Sequence, residues 1–394
     1  MQTAGYKKTK IACYTAYFTM SSVFCLPPLL FVTFHNVYGI SWTLLGALIL
    51  TNFCTQLAID LIFTLFAKKF NVNAVVKVMP LITSLGLFVY ALSPFIFQPN
   101  MIYLGLITGT IIFSVSAGLS EVLLSPTIAA IPSNNPQRDM SLLHSLYAFG
   151  VFFVVVTGTL FIRFAGVQNW MYLTMIFAAL PVIPSVLFMT SPMPEMNLGQ
   201  NAQTESRNKK KIMGIALCGL CIFLGSCAEN VMSNWISSFL ETELNITKTV
   251  GDILGMAGFA VLLGVTRISY AKWGKNIRKI LLIGMAGALC CYMVAGLSDS
   301  TVLVLSACIL AGIFTAMLWP GSLILMEENI DGVGVASYAL MAAGGDLGAS
   351  FAPQLMGIVA DQAGMKTGML VTAIFPFLGI LLLLIIFRFF RKKI

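Results

Sequence analysis

The chain has 394 residues, of which 58% are hydrophobic and only 10% charged, and it carries a net charge of +8. That balance excludes an ordinary soluble globular domain. The excess of positive charge suggests nucleic acid or a membrane, and its placement along the chain decides between them.

Apolar runs long enough to cross a bilayer as helices cover nearly the whole sequence, and twelve are read: 11–34, 41–67, 74–95, 99–131, 141–164, 168–190, 212–240, 249–272, 279–297, 301–326, 334–362 and 366–388. The fold class this predicts is an all-α polytopic membrane protein. No stretch remains for a soluble domain, so function has to lie in the helical bundle. With the N-terminus cytoplasmic, 20 of the 23 Lys and Arg residues fall on the cytoplasmic side; Arg163, Lys248 and Lys366 fall outside. That asymmetry follows the positive-inside rule, so the basicity is topological and no nucleic-acid partner is expected. The expected setting is the cell membrane, multi-pass, with both termini cytoplasmic.

The first run follows Lys7, Lys8 and Lys10. It is too long for a signal-peptide core and lacks a small-residue cleavage site, so it reads as a span. It holds Tyr14, Tyr17, Ser21 and Ser22 but no acid. Asp60 lies towards the cytoplasmic end of the second run, and His144 towards that of the fifth. The fourth run carries Glu121 near its middle, with no basic residue one helical turn away. A bare charge at the bilayer centre costs on the order of 3 kcal/mol, so such residues face the bundle interior or a wet cavity and mark ion or substrate paths. The stretch 191–211, rich in Pro, Asn, Gln and Lys, reads as a cytoplasmic linker. It divides the chain into six-helix bundles over 1–190 and 212–394.

The seventh run contains S-C-A-E-N-V-M-S-N-W, where Ser226, Glu229 and Ser233 form one stripe and Asn230 and Asn234 another beside it. Ending at Trp235, this predicts a polar wall with an aromatic platform, which suits sugar hydroxyls. The alternative is a polar seam between helices. Cys218 and Cys221 have C-x-x-C spacing but no second ligand pair, and the only histidines are His35 and His144, so no metal site and no cofactor is expected. Arg267 lies towards the cytoplasmic end of the eighth run, and Asp346 sits among small residues in A-A-G-G-D-L-G-A-S. Asp60, His144, Arg267 and Asp346 are read as gating or inter-bundle contacts, and Tyr17 and Trp319 as cavity-lining aromatics.

One stretch recurs. G-L-S-E-V-L-L-S-P (118–126) returns as G-I-F-T-A-M-L-W-P (312–320), with Gly and Pro at the same spacing and Thr315 in place of Glu121. The matched Pro126 and Pro320 predict paired bends. An ionisable group in one copy of a duplicated membrane scaffold is what a secondary transporter needs. No G-x-x-x-x-G-K-[ST] loop is present, which argues against an ATP-driven pump, and nothing points to an enzyme.

On this six-plus-six pattern the chain resembles the major facilitator superfamily. Within it, the Glu five residues before Pro in the fourth span (Glu121 to Pro126) resembles the fucose–galactose–glucose:proton symporter group. The resemblance implies that spans 1, 4, 7 and 10 line a central cavity, and that Glu121 couples protons and helps bind substrate. It also implies alternating access, with Glu121, Glu229, Asn230, Asn234, Trp235, Trp319 and Tyr17 serving substrate or coupling. The chain departs from that group in having no Asp in the first span, and the superfamily's G-x-x-x-D-[RK]-x-G-[RK] loop is degraded to F-T-L-F-A-K-K-F-N (63–71). The function expected is proton-coupled symport of a small polar solute, with a sugar as the leading candidate, by a monomer in the lipid bilayer; the rival is a proton-coupled exporter of drug-like or other organic compounds.

Overall fold

In the computed structural model, residues 5–66, 69–133, 136–194, 209–331 and 335–390 are described. Most of the expected linker therefore lies outside the described residues, as does Lys68. Among the described residues the chain is helical with no strand. The helices are α1 (Lys7–Leu29), α2 (Phe31–Tyr38), α3 (Trp42–Phe66), α4 (Val72–Ile96), α5 (Ile102–Ala130), α6 (Pro136–Ala165), α7 (Trp170–Ala179), α8 (Val182–Met189), α9 (Lys209–Leu244), α10 (Lys248–Val250), α11 (Gly258–Trp273), α12 (Ile277–Leu297), α13 (Thr301–Thr315), α14 (Leu318–Asn329), α15 (Val335–Ala363), α16 (Met365–Thr372) and α17 (Ile374–Phe389). A π-helical turn, Gly251–Ala257, joins α10 to α11.

Among the described residues, ten spans are long and apolar enough to cross a membrane, and the bent pair α1–α2, angled by 43°, makes an eleventh when taken as one span. The remaining expected run, 334–362, corresponds to α15, whose 29 residues include several Gly and Ser together with Asp346 and Asp361.

Proline explains where spans break. A proline lacks the N–H that would bond the carbonyl four residues back, so the helix opens there. Pro184 points to the break at Leu180–Pro181, Pro320 to that at Ala316–Met317, and Pro376 to that at Ala373. The matched prolines differ in local structure: α13 gives way to α14 ahead of Pro320, whereas α5 stays helical through Pro126. In the second copy an arginine takes up the freed carbonyl, as described below, and so supports the opening.

By internal packing the chain divides into two compact units, Met1–Ile40 with Thr51–Gln200, and Ser41–Leu50 with Asn201–Ile394. In the first, α4 packs along α5 and α1 along α6. Its core centres on Trp170, whose indole N–H donates to the Tyr38 hydroxyl at 3.0 Å and whose ring meets Phe34 edge-on at 4.9 Å. At Gly86 and Gly109 a side chain would strike the facing backbone, so both have to stay small for α4 and α5 to meet.

In the second unit α15 packs along α9, while α12 packs on α13, α16 and α17. The opening turn of α3 belongs here. Its Trp42 and Thr43 N–H groups donate to Asp361 at 2.8 and 2.7 Å, which satisfies two donors left over at a helix start.

Candidate functional site

In the first unit, α5 carries Glu121, whose side chain is exposed within a membrane-length span. Among the described residues Glu121 makes no ion pair and accepts no hydrogen bond. Asp60 on α3 and the Tyr17 hydroxyl on α1 lie within its electrostatic range. Three residues before Glu121, on the same helical face, Gly118 leaves room for α3: a side chain there would stand 3.1 Å from Asp60 Oδ1 and from the Gln56 backbone. Asp60 Oδ1 is buried and has no hydrogen-bond partner among the described residues. Carboxylates on two helices thus share one region of the α3–α5 seam.

That seam continues as a polar stripe. Asn52, Gln56 and Asp60 follow at four-residue spacing on α3. Gln56 Nε2 donates to Asn52 Oδ1 at 2.9 Å, and Ser114 Oγ on α5 donates to the same oxygen at 2.6 Å. Tyr17 is buried and meets Tyr147 edge-on at 6.3 Å.

In the second unit, α9 carries Glu229, which is fully engaged. Arg267 Nη2 on α11 donates to its two oxygens at 2.9 and 3.0 Å. Arg267 Nε donates at 2.8 Å to the Ala316 carbonyl, the one that Pro320 leaves without a partner. One guanidinium therefore ties α9, α11 and the α13–α14 break together, in the planar two-sided manner that arginine permits.

Beside it, the Asn230 amide N–H donates back to the Ser226 carbonyl at 3.1 Å, and that of Asn234 to the Asn230 carbonyl at 2.8 Å. A backbone carbonyl can only accept, so these bonds fix the amide orientation. Each Oδ1 is left facing away as an acceptor. Trp319, half-buried ahead of Pro320, lies against Gly345 of α15, where any side chain would collide with its ring.

A family model described as Major Facilitator Superfamily matches residues 12–353. The chain belongs to the Major Facilitator Superfamily. No curated protein sequence matches it. Among solved structures it is similar to a D-xylose-proton symporter, at 14% identity and a TM-score of 0.82 with 99% of each chain covered. It is similar also to the fucose:proton symporter of E. coli, at 15% identity and 0.64 with 97% of this chain and 99% of that one. A nucleoside transporter gives 15% and 0.71 over 97% and 99%. At such identities the likeness shows the superfamily's fold.

On this superfamily frame the expected site residues separate. Glu121, Asp60 and Tyr17 come together in the first unit, and Glu229, Arg267 and the α13–α14 break in the second. Trp235 requires a correction as an exposed platform. It is fully buried, its indole N–H donates to the Pro353 carbonyl at 3.1 Å, and its ring meets Trp42 edge-on at 6.0 Å. Its position on α9 turns it into the α15 contact, so it acts in packing. Ser226 is likewise fully buried and Asn234 is buried at 8% exposure, so the polar wall presents mainly Asn230 and Ser233, with Asn234 at its inner edge. Asp346 is buried on α15. The side chain of His144 lies outside the described residues.

One buried acid is absent from the charges singled out above. Asp252, in the π-helical turn, accepts from Ser237 Oγ, and Lys248 Nζ lies 3.4 Å away. Its signal in the sequence was the Lys248–Asp252 spacing of four residues.

Proposed function

We propose that this superfamily member is a proton-coupled symporter of a small polar solute of the sugar class. The observation that carries the reading is a contrast between two acids. Glu121 is exposed and without an ion pair among the described residues, whereas Glu229 is neutralised by Arg267. A carboxylate in a span that has no counter-cation is the group that gains most from taking up a proton. Glu121 is therefore assigned the proton, and the Asn230 and Asn234 acceptors on α9 are assigned the solute's hydroxyl donors.

In the cycle, Glu121 loads a proton, the solute loads at α9, and closure becomes favourable because the bare charge has gone. Release on the other side restores the carboxylate. The similarity in fold to sugar:proton symporters supports this reading. The exporter of organic cations needs Glu229 as a free anion, and its pairing with Arg267 weighs against that alternative.

The test is solute exchange in proteoliposomes with a panel of pentoses and hexoses, comparing the wild type with Glu121→Gln. The variant is expected to keep exchange of the transported sugar but lose accumulation driven by a proton gradient. Undiminished accumulation removes Glu121 from coupling, and a panel without any exchanged sugar removes the sugar assignment.

A further inference from the structure

The second unit contains a crevice unrelated to either acid. Helices α11 and α12 each pack along α13, yet scarcely touch one another, although only Gly274, Lys275 and Asn276 join them. They diverge from that loop and leave a cleft with α13 as its floor. Its volume is about 360 Å³, within the ~300–1,000 Å³ range of small-molecule sites. Ile280, Ile283, Ile313, Phe314 and Met317 make its lining apolar, while Ser269 and Tyr270 bring hydroxyls near the loop end. Ile283 is 50% exposed and Trp273 68% exposed, so the cleft opens sideways on the surface that a helical membrane protein turns to lipid.

Its apex is basic. Lys272, Lys275 and Lys279 are all exposed around the loop, with the Lys272 ammonium 4.7 Å from the centre of the Trp273 ring. Arg278 is committed to Asn329 and faces the Phe387 ring. Glu328 on α14 lies within electrostatic range of Tyr270 and offsets part of this charge. The charge asymmetry of the sequence assigns this loop to the cytoplasmic face, where anionic lipids attract basic residues next to a span. Trp273 and Tyr270 have the apolar body and polar edge that settle at headgroup level.

From this geometry we propose that the α11–α12 cleft binds one anionic glycerophospholipid, with an acyl chain against α13 and the phosphate headgroup on Lys272, Lys275 and Lys279. Charge complementarity selects the occupant: an apolar slot alone takes any chain, and three lysines around the loop at its apex favour a negative headgroup. The proposal is independent of the transported solute, because nothing in the cleft touches Glu121 or Glu229.

Native mass spectrometry of the protein from membranes of equimolar phosphatidylglycerol and phosphatidylcholine with identical chains tests it. Wild type should retain phosphatidylglycerol over phosphatidylcholine by about tenfold, the scale expected when several lysines each favour an anionic surface. K272Q/K275Q/K279Q should lose that preference while still retaining lipid. Ile283→Trp, which fills the mouth from an exposed position, should lose most bound lipid with the helical circular dichroism unchanged. Equal retention of the two lipids by wild type overturns the proposal, as does a preference that survives the triple variant. Lipid retained undiminished by Ile283→Trp places it elsewhere and also overturns it. Each readout is bound lipid, so failure of the symport reading leaves this result intact.

Discussion

Arg267 holds Glu229 through one nitrogen and the Ala316 carbonyl through another, at 2.9 and 2.8 Å. The two contacts have different origins. The first neutralises a carboxylate inside a span, and the second fills a vacancy that Pro320 creates four residues back. Because both depend on one side chain, the ion pair and the helix break form a single mechanical element.

Removing Arg267 alone should therefore cost more than removing both charges. Arg267→Gln leaves Glu229 charged and alone, with an expected loss of about 2–3 kcal/mol. This is below the full value for a buried pair because the Arg267 side chain is 39% exposed. E229Q/R267Q removes the uncompensated charge and should recover part of that loss. Thermal unfolding of the purified variants measures both. A double variant no more stable than Arg267→Gln would show that the charge pairing contributes little.

Pro320 supplies an independent handle. Pro320→Ala restores an N–H for the Ala316 carbonyl, so the Arg267 Nε bond becomes redundant. P320A/R267Q should be more stable than Arg267→Gln by about 1 kcal/mol, the net value of one hydrogen bond. The same substitution straightens the α13–α14 junction, and transport should fall even as stability rises. If Pro320→Ala gives no relief in the Arg267→Gln background, the carbonyl does not depend on the guanidinium.

The spans, the duplicated Gly–Pro spacing and a mid-span carboxylate at Glu121 without a basic neighbour were legible because they depend on period and composition along the sequence. The Glu229–Arg267 pair was less so. These residues lie 38 apart, and helical periodicity does not say which faces of α9 and α11 meet. A local signal existed nonetheless: a proline orphans the carbonyl four residues back, and a lone arginine in a neighbouring span is a ready donor. Trp235 was misread for a related reason. The polar stripe of α9 was visible, but the α15 backbone covering its end was not. The depth of Asp60 in its span says nothing of its neighbours, whereas the glycine at 118 is a clue that α3 comes close to α5 there.

Asp60 offers a test that separates function from stability. Its Oδ1 is buried with no hydrogen-bond partner among the described residues, a condition a fold keeps at a cost. Asp60→Asn removes the charge while keeping the shape, and should raise stability by about 1 kcal/mol. Gradient-driven transport should fall by about tenfold or more, the opposed pattern of a strained functional site. If stability and transport fall together, Asp60 serves packing alone.

The remaining prediction concerns pH at the end of α1, outside the spans. Lys10 Nζ and Ser133 Oγ each donate to Asp139 Oδ2 at 2.5 Å, and the Tyr14 hydroxyl lies 3.4 Å from Oδ1. Burial pushes the Asp139 carboxyl up, but the hydrogen bonds from Lys10 and Ser133, the Lys10 charge and the Tyr14 hydrogen bond outweigh it and hold it below the ordinary carboxylate value. A depressed carboxylate contributes stability that is fully present above its unfolded value, about 3.9, and lost as pH falls through the folded one. Asp139 therefore stays ionised throughout neutral and mildly acidic pH. The melting-temperature difference between wild type and Asp139→Asn should be flat from about pH 5 to pH 8 and shrink only below about pH 4. Its size should correspond to no more than about 1 kcal/mol, since solvent screens the pair. A difference that changes between pH 5 and pH 8 would make this clasp part of the transporter's pH response; a flat one leaves that response to the acids inside the spans.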